Sequence, residues 1–279
     1  MPQFKYYYMY KFWNNILVKI FASLAAMLLL LSSCGSITHG SSNSNRIDSV
    51  ITVESDTTVA LFSSYDNPCC HLHSKFDVPF KATSQNTLDA AQLMIISLAN
   101  EEYVNQTSSV EEMIKMYSKS YILEYLEEGM KAISREGYDV EETADWMNYE
   151  ERCRGKVLYN DNNIFSYSVR VYSFSGGAHG NNTNNVASLD LRSNSVITLD
   201  YLFSKDSKED VRCLIADALN KEYQLLTDEV DVVSNFYLSD AGITFVYNPL
   251  DIAAYSDGEI RTTLSWETLS PYLQNNPMQ

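Results

Sequence analysis

The sequence predicts an α+β protein in which antiparallel sheet regions pack against helices, arranged as two intimately joined subdomains. Apolar residues recur at three- and four-residue steps through residues 86–136, which indicates helices. Alternating apolar and polar residues dominate residues 152–199 and return between 235 and 265, which indicates strands. Helices and strands are thus segregated along the chain, as in α+β proteins, and no internal repeat is evident.

The N-terminus has the pattern of an export signal. The charged residues before Cys34 are Lys5, Lys11 and Lys19. The apolar run 20–31 is twelve residues long, which suits a signal peptide and is short for a membrane-spanning helix. The letters "LSSCG" at 31–35 resemble the bacterial lipobox, whose cysteine becomes the lipidated first residue. We therefore expect a lipoprotein signal peptide at 1–33 and lipidation of Cys34, with a plain signal anchor as the alternative.

This resemblance implies a location in the bacterial cell envelope. Mature bacterial lipoproteins carry several acyl chains, and two or more hold a protein stably on a membrane. The residues after Cys34, Gly35-Ser36-Ile37, lack the acidic cluster of surface-exported lipoproteins of the Bacteroides type. We therefore expect a lipid-anchored protein on the outer membrane that faces the periplasm.

Residues 34–60 are predicted to be a flexible tether between the lipid and the folded region. They are rich in Ser, Asn, Thr and Asp and contain few residues that form a core. Folding is expected to begin near Leu61. The change from helical to strand-like patterns then divides the remainder into parts at 61–150 and 151–279.

The charge balance limits the classes of partner. The full chain has a net charge of −16, and removal of the three signal lysines with no acid takes it to −19. This charge, without any run of basic residues, argues against nucleic acid and anionic membrane surfaces as partners of the folded part. It suits either a soluble acidic domain or a receptor for a basic protein.

Four cysteines follow Cys34: Cys69, Cys70, Cys153 and Cys213. An even number in an oxidising compartment suggests disulfides, whose pairing the sequence leaves open. The letters "CCHLH" at 69–73 contain metal-binding residue types. However, the adjacent cysteines lack the spacer of zinc ligands, and no second cluster would complete a tetrahedral site. We therefore expect free thiols or disulfides here, and neither a metal nor a cofactor.

The first half contains one predicted strand and two helices. Residues 69–80 alternate as a strand that Pro79 ends, and 86–104 has a broad apolar helical face. Ser108, followed three residues later by a glutamate, predicts a capping box that opens a second helix ending near Gly137. Its stripe of tyrosines is interpreted as core rather than as a binding face.

Strands dominate the second half. Residues 160–163, "NDNN", predict the hairpin turn between two strands, and a further strand is expected at 186–191. A turn at 192–195 leads to a short strand. The chain then continues as a helix at 207–226, strands within 235–265 and a short terminal turn or helix at 269–273.

Two segments carry a family resemblance. They are "YSFSGGAHGN" at 172–181 and "FYLSDAGITFVYNP" at 236–249, the second continuing through Ile252-Ala253, Tyr255 and Gly258. Together they resemble the DUF3298 domain, here 151–279, preceded by a DUF4163-like part, here 61–150. This pair occurs in the ectodomains of RsiV-type anti-sigma factors and beside PdaC-type peptidoglycan deacetylases. Leu250 departs from the family pattern, which often has Tyr after the proline.

The resemblance implies a binding role more than a catalytic one. In the anti-sigma factors the module resembles a lysozyme receptor, and beside the deacetylases it is an accessory module. The metal motif of those deacetylases, an Asp-Asp pair with His-x-x-x-His, is not in this sequence. The expected function is therefore a non-catalytic binding module for peptidoglycan-type glycan or for a basic protein such as lysozyme. An envelope hydrolase or deacetylase-associated enzyme that uses His179 is the alternative.

No residue is assigned a catalytic role, because strong motifs such as Gly-x-Ser-x-Gly are lacking. His179 would need a carboxylate to orient it, and Asp190 and Asp200 are near in sequence. Tyrosines can stack on sugar rings or anchor protein interfaces, and the double glycine predicts a turn. The candidate ligand-binding residues are Tyr172, Gly176, Gly177, His179, Tyr247 and Tyr255.

Overall fold

The computed structural model describes residues 45–62, 68–136, 146–227 and 230–279. These residues form two β-sheets and five α-helices, which confirms the α+β prediction. The predicted signal peptide at 1–33 and the lipidation site Cys34 lie outside the described residues. Within the described part of the chain, no helix is long and apolar enough to cross a membrane.

The structure contains the following elements. The strands are β1 (Ile47–Ala60), β2 (Cys69–Ala82), β3 (Tyr149–Asp161), β4 (Ile164–Ser175), β5 (Asn181–Asp190), β6 (Ser195–Val196), β7 (Phe236–Ser239), β8 (Gly242–Tyr247) and β9 (Ile260–Leu264). The helices are α1 (Gln85–Ala99), α2 (Val110–Lys131), α3 (Leu199–Leu202), α4 (Lys205–Leu219) and α5 (Trp266–Leu269).

Six strands form the larger sheet in the order β1-β2-β3-β4-β5-β6, and β7-β8-β9 form the smaller one. All neighbours are antiparallel except β2 and β3, which are parallel. A parallel pair needs a long crossover connection, and α1 and α2 supply it. The expected boundary at 150/151 falls inside β3, so the larger sheet runs across both parts of the chain.

The tether predicted at 34–60 is wrong from Ile47 onwards, because residues 47–60 form β1 and pair with β2 along their length. Ile47 and Val53 are buried in the core. Only one face of β1 is covered, so polar residues occupy the other face and give the strand the composition of a linker. Residues 34–44 of the predicted tether lie outside the described residues.

Pro79 does not end β2, which continues to Ala82. It lies opposite Val50, where the register between the two strands shifts. A register shift tolerates the missing N–H of proline, so the strand passes through it.

The cap of α2 lies one residue later than predicted. Ser109, not Ser108, accepts a hydrogen bond from the backbone N–H of Glu112 at 3.4 Å. The Glu112 carboxylate in turn accepts one from the Thr107 hydroxyl at 2.6 Å. The consecutive serines and glutamates make both registers equally plausible in the sequence.

The larger sheet separates two hydrophobic cores. On one face, α1 and α2 cover Phe165, Tyr167 and Val169 of β4. On the other face, the smaller sheet and α4 pack with Ile164 at the start of the same strand. Buried hydroxyls connect the sheets, because Ser166 donates to the Leu238 carbonyl and Ser188 accepts from the Leu238 N–H.

The hairpin turn between β3 and β4 is confirmed. Asn162 and Asn163 both have positive φ angles, 51° and 62°, as in a type I′ turn. The predicted helix at 207–226 is shorter, spanning α4 only, and the terminal helix begins at Trp266 rather than near 269. Cys69, Cys70 and Cys153 are buried and Cys213 is exposed, and no disulfide joins these four described cysteines.

Candidate functional site

A cleft opens where β4 and β5 meet the loop between β8 and β9. Its volume is about 190 Å³. The side chains that matter for its chemistry belong to Arg170, Asn182, Asn248, Tyr255 and Glu259. Two of them come from the larger sheet and three from the loop, so the packing of one sheet on the other builds the cleft.

Strand alternation places the larger-sheet side of the cleft. Phe165, Tyr167 and Val169 face the helices, so Arg170 and Tyr172 project from the opposite face of β4. Arg154 lies directly opposite Arg170 on β3, and Arg152 lies opposite Tyr172. The guanidinium carbon of Arg152 is 4.4 Å from the centre of the Tyr172 ring, a cation–π contact.

An ion pair forms one wall of the cleft. The Arg170 guanidinium donates to the Glu259 carboxylate at 2.8 Å, and Arg261 also pairs with Glu259. The Glu259 side chain is 17% exposed, whereas that of Arg170 is 51% exposed. Arg170 therefore keeps free donors at the mouth of the cleft.

The glycine loop after β4 lies beside the cleft. Gly176 and Gly177 have φ angles of 81° and 98°, which favour glycine. A Cβ on Gly176 would lie 2.3 Å from the Trp146 carbonyl oxygen, whereas one on Gly177 would meet nothing within 4 Å. The first glycine is thus required by close packing and the second only by its backbone angle.

His179 stacks on Tyr255. The ring centres are 4.5 Å apart with an interplanar angle of 29°. His179 is exposed, and its Nδ1 donates to the Gly180 carbonyl at 3.1 Å. The Tyr255 hydroxyl donates to the same carbonyl, which joins the glycine loop to the second sheet's loop.

The two carboxylates proposed to orient His179 are engaged elsewhere. Asp190 pairs with Arg192 at 3.0 Å, and Asp200 pairs with Lys208. His179 therefore contacts a backbone carbonyl and an aromatic ring rather than either of these acids.

The structure separates Tyr247 from the other candidate residues. Its side chain is only 1% exposed and packs in the core around the smaller sheet. The Tyr247 hydroxyl donates to the Asp231 carbonyl at 2.8 Å. By contrast, Tyr172 is partly exposed, and its ring occupies the space beside Gly180, where a Cβ would lie 2.4 Å away.

A buried amide behind the cleft was not foreseen. Asn184 is 1% exposed, and neither its side-chain oxygen nor its nitrogen has a partner among the described residues. Its backbone N–H donates to the Asn248 side chain at 2.7 Å, and it lies opposite Arg170 in the sheet. No local motif marks these residues, because the contacts span more than sixty positions in sequence.

We predict different costs for two adjacent substitutions in the glycine loop. Gly177→Ala should lower the free energy of unfolding by roughly 1–2 kcal/mol, because an alanine must adopt positive φ. Gly176→Ala should cost at least about 1 kcal/mol more, because its Cβ also meets the Trp146 carbonyl. Chemical denaturation of both variants tests this prediction. Equal losses in the free energy of unfolding would show that the Trp146 carbonyl moves aside at little cost.

Comparisons with known proteins agree with this architecture. The model of the family described as deacetylase PdaC matches residues 92–182, and that of DUF3298, a family of unknown function, matches 200–267. A crystal structure of a DUF3298 family member from Bacteroides fragilis NCTC 9343 is 25% identical, with a TM-score of 0.71. That match covers 81% of this chain and 94% of the other.

A second solved structure, a DUF3298 family protein from Pseudomonas aeruginosa PAO1, shares the fold at 13% identity. Its TM-score is 0.53, and the match covers 82% of this chain and 97% of the other. The comparison with curated proteins gave no significant match. The resemblance to DUF3298 and to the PdaC family is therefore confirmed, and it indicates an envelope-associated module of unknown function.

Leu250 marks the departure from the family pattern in the structure as well. It follows Pro249 of the cleft, is 65% exposed and has a φ angle of 74°. An exposed leucine with positive φ is unusual for a side chain of this size. The position therefore presents an aliphatic rather than an aromatic group beside the cleft.

Proposed function

We propose that this chain is a non-catalytic glycan-binding module of the bacterial cell envelope. The observation that supports it most is the cleft, which brings residues of both family-matched segments together. Arg170 and Asn182 lie in the first segment, and Asn248, Tyr255 and Glu259 lie in the second. Two parts of the chain that match different family models thus contribute to one concave site.

The chemistry of the cleft suits a sugar. Amide side chains and an ion pair offer both donors and acceptors, which hydroxyl and acetamido groups require. Tyr255 supplies an aromatic face, and its stacking on His179 limits its motion. The side-chain amide of Asn184, behind the cleft, has no hydrogen-bond partner among the described residues. A ligand group or a bridging water at the bottom of the cleft would supply one.

The border of the cleft favours a glycan that carries carboxylates. Arg152, Arg154 and Lys156 are exposed on β3, and their alternating positions place them on the same sheet face as Arg170. Among the described residues, Arg154 and Lys156 have no ion-pair partner. This local positive charge on an acidic protein matches the carboxylates of peptidoglycan better than the surface of a basic protein.

The envelope location is part of the proposal. Lipidation of Cys34 would place the folded region at the periplasmic face of the outer membrane, within reach of peptidoglycan. The DUF4163-like identity of residues 61–150 belongs to the same proposal. The predicted signal, "LSSCG" at 31–35, supports the lipid anchor.

We expect Arg170→Ala to reduce binding to insoluble peptidoglycan by at least about tenfold in a sedimentation assay. The substitution removes the donor at the mouth of the cleft and leaves the partly buried Glu259 carboxylate with one partner fewer. Arg212→Ala is the matched control, because Arg212 also pairs with a glutamate, on the exposed surface of α4. Equal binding of both variants would overturn the assignment of the cleft.

Two further assays distinguish the alternative functions. A basic-protein receptor would be retained on immobilised lysozyme, strongly at low salt and weakly at high salt, irrespective of Arg170. A hydrolase would release soluble sugar from peptidoglycan, and His179→Ala would stop that release without unfolding the protein. Either result, together with no retention on peptidoglycan, would contradict the proposed function.

A further inference from the structure

A second cavity lies on the opposite, helix-covered face of the larger sheet. Its volume is about 290 Å³, smaller than the pockets that hold drug-sized ligands. Three tyrosines and three glutamates line it: Tyr121, Tyr125, Tyr149, Glu124, Glu128 and Glu151. The larger sheet separates this cavity from the cleft, so the two sites can be tested independently.

Glu151 is the buried acid of this cavity. It is 4% exposed and lies on β3 facing α2. The Tyr117 hydroxyl donates to its carboxylate, and the Cys153 thiol donates to the same oxygen at 3.5 Å. Burial nevertheless raises the pKa of Glu151, because these neutral donors compensate only in part for lost hydration.

The acids of the cavity have no cationic partner within the described part of the chain. Glu124 and Glu151 take part in no ion pair there, and Glu128 accepts a hydrogen bond from the Tyr149 hydroxyl at 2.9 Å. Three carboxyl groups around one concave space attract a cation. An organic cation would use these carboxylates together with the aromatic rings of the cavity.

An unpartnered hydroxyl gives independent support for a ligand. Tyr125 is 1% exposed, lines the cavity, and its hydroxyl has no hydrogen-bond partner among the described residues. Buried polar groups are rarely left unsatisfied, so a ligand group or a water is expected beside it. The Tyr125 and Tyr149 rings meet edge to face at 5.2 Å, which gives the cavity an aromatic wall.

We propose that this cavity binds an amino sugar with a free, protonated amine. The carboxylates of Glu151, Glu124 and Glu128 would face the ammonium group, and the tyrosine rings would contact the sugar ring and the cation. Ser173 and Ser175 also line the cavity, and their hydroxyls suit the hydroxyls of a sugar. A lysine side chain would use the carboxylates but leave those serines without a ligand partner.

The choice of a sugar as the carrier of the amine rests on the proposed glycan-binding function. The test therefore uses the full chain in detergent micelles with two probes. They are the fully deacetylated glucosamine trimer and the N-acetylglucosamine trimer, both titrated by calorimetry at neutral pH. We expect Glu151→Gln to weaken binding of the deacetylated trimer by at least about tenfold, since it removes the buried carboxyl group that would face the ammonium group.

Two further variants keep the result interpretable. Tyr125→Phe removes only the unpartnered hydroxyl and should weaken binding of the deacetylated trimer by a few-fold without loss of fold. Arg170→Ala, in the cleft, should weaken sedimentation with peptidoglycan and leave the Glu151-dependent binding of the deacetylated trimer unchanged. Thermal unfolding of each variant confirms that it is folded.

Four outcomes would overturn the inference. The first is that Glu151→Gln leaves binding of the deacetylated trimer intact. The second is that both trimers respond equally to Glu151→Gln. The third is that Nα-acetyl-lysine methylamide binds as tightly as the deacetylated trimer, which would make the ligand a lysine side chain. The fourth is that the deacetylated trimer does not bind at all. In that case the proposed function still stands if the protein sediments with peptidoglycan, and it fails if the protein does not.

Discussion

A chain that begins at Leu61 is expected not to fold into a stable monomer, because it lacks β1. That strand pairs with β2 over its whole length and buries Ile47 and Val53. Full burial of each such side chain contributes about 1.5–3 kcal/mol. Their loss therefore removes a large share of the roughly 5–15 kcal/mol that stabilises a typical domain.

The truncation would also expose β2 as a long edge. Its apolar side chains Phe76 and Val78 lose their cross-strand neighbours Val53 and Ile51, and its unpaired backbone groups become available to other chains. Circular dichroism and size-exclusion chromatography of this chain, beside one that starts at Asn45, test the prediction. The expected result is aggregation or loss of a cooperative transition in the shorter chain alone. Melting temperatures that agree within about 2 °C would contradict it.

The same strand shows where sequence patterns fail. The segment 47–60 is mostly polar because one face of β1 is uncovered, so its composition resembles a linker. Its two fully buried apolar side chains are six residues apart, which is compatible with strand alternation but too sparse to indicate it. The segment is a strand because it pairs with β2, which the sequence did predict as a strand.

Local turn chemistry was far more predictive. The hairpin at Asn162 and Asn163 needs two positive φ angles, which asparagine tolerates, and the double glycine at 176–177 needs two more. Such requirements act within a few residues and leave a signature in the sequence. The same local logic brings Tyr172 and His179 to one edge of the sheet.

The rest of the candidate site depends on how the two sheets pack. Arg170, Asn182 and Glu259 form the cleft only because the loop before β9 crosses the larger sheet at β4. No spacing in the sequence specifies that crossing. For the same reason Tyr247 could not be distinguished from Tyr255, although the first is in the core and the second faces the cleft.

The tyrosine stripe of α2 shows a similar limit. Helical periodicity indicates that its members share a face, and Tyr125 is indeed buried. The stripe nevertheless faces two environments, because Tyr117 packs against the hydrophobic core between the helices and the larger sheet, while Tyr121 and Tyr125 line the second cavity. Helical periodicity shows which face of α2 is buried. It does not show whether that face packs against other side chains or borders a cavity.

Gly155→Val is expected to lower the free energy of unfolding by about 3 kcal/mol or more. A Cβ at this position would lie 2.2 Å from a ring carbon of Phe76 and 2.4 Å from the Tyr167 hydroxyl. That hydroxyl passes over β3 to donate to the Asp77 carbonyl on β2 at 2.7 Å. A valine would both overfill the core, at about 1–3 kcal/mol, and displace a buried hydrogen bond, at about 1–3 kcal/mol.

Chemical denaturation of three variants separates these contributions. Tyr167→Phe removes the hydroxyl and its hydrogen bond but keeps the ring, so it should lose only about 1–3 kcal/mol. Lys156→Val places the same side chain one residue along β3 on the exposed face and should change stability by less than about 0.5 kcal/mol. The double variant Gly155→Val with Tyr167→Phe should lose less than the sum of the single losses, because removal of the hydroxyl relieves one of the two clashes. If the losses of the two single variants simply add, the valine is accommodated without displacing Tyr167. The contact of Tyr167 with Asp77 would then not depend on glycine at position 155.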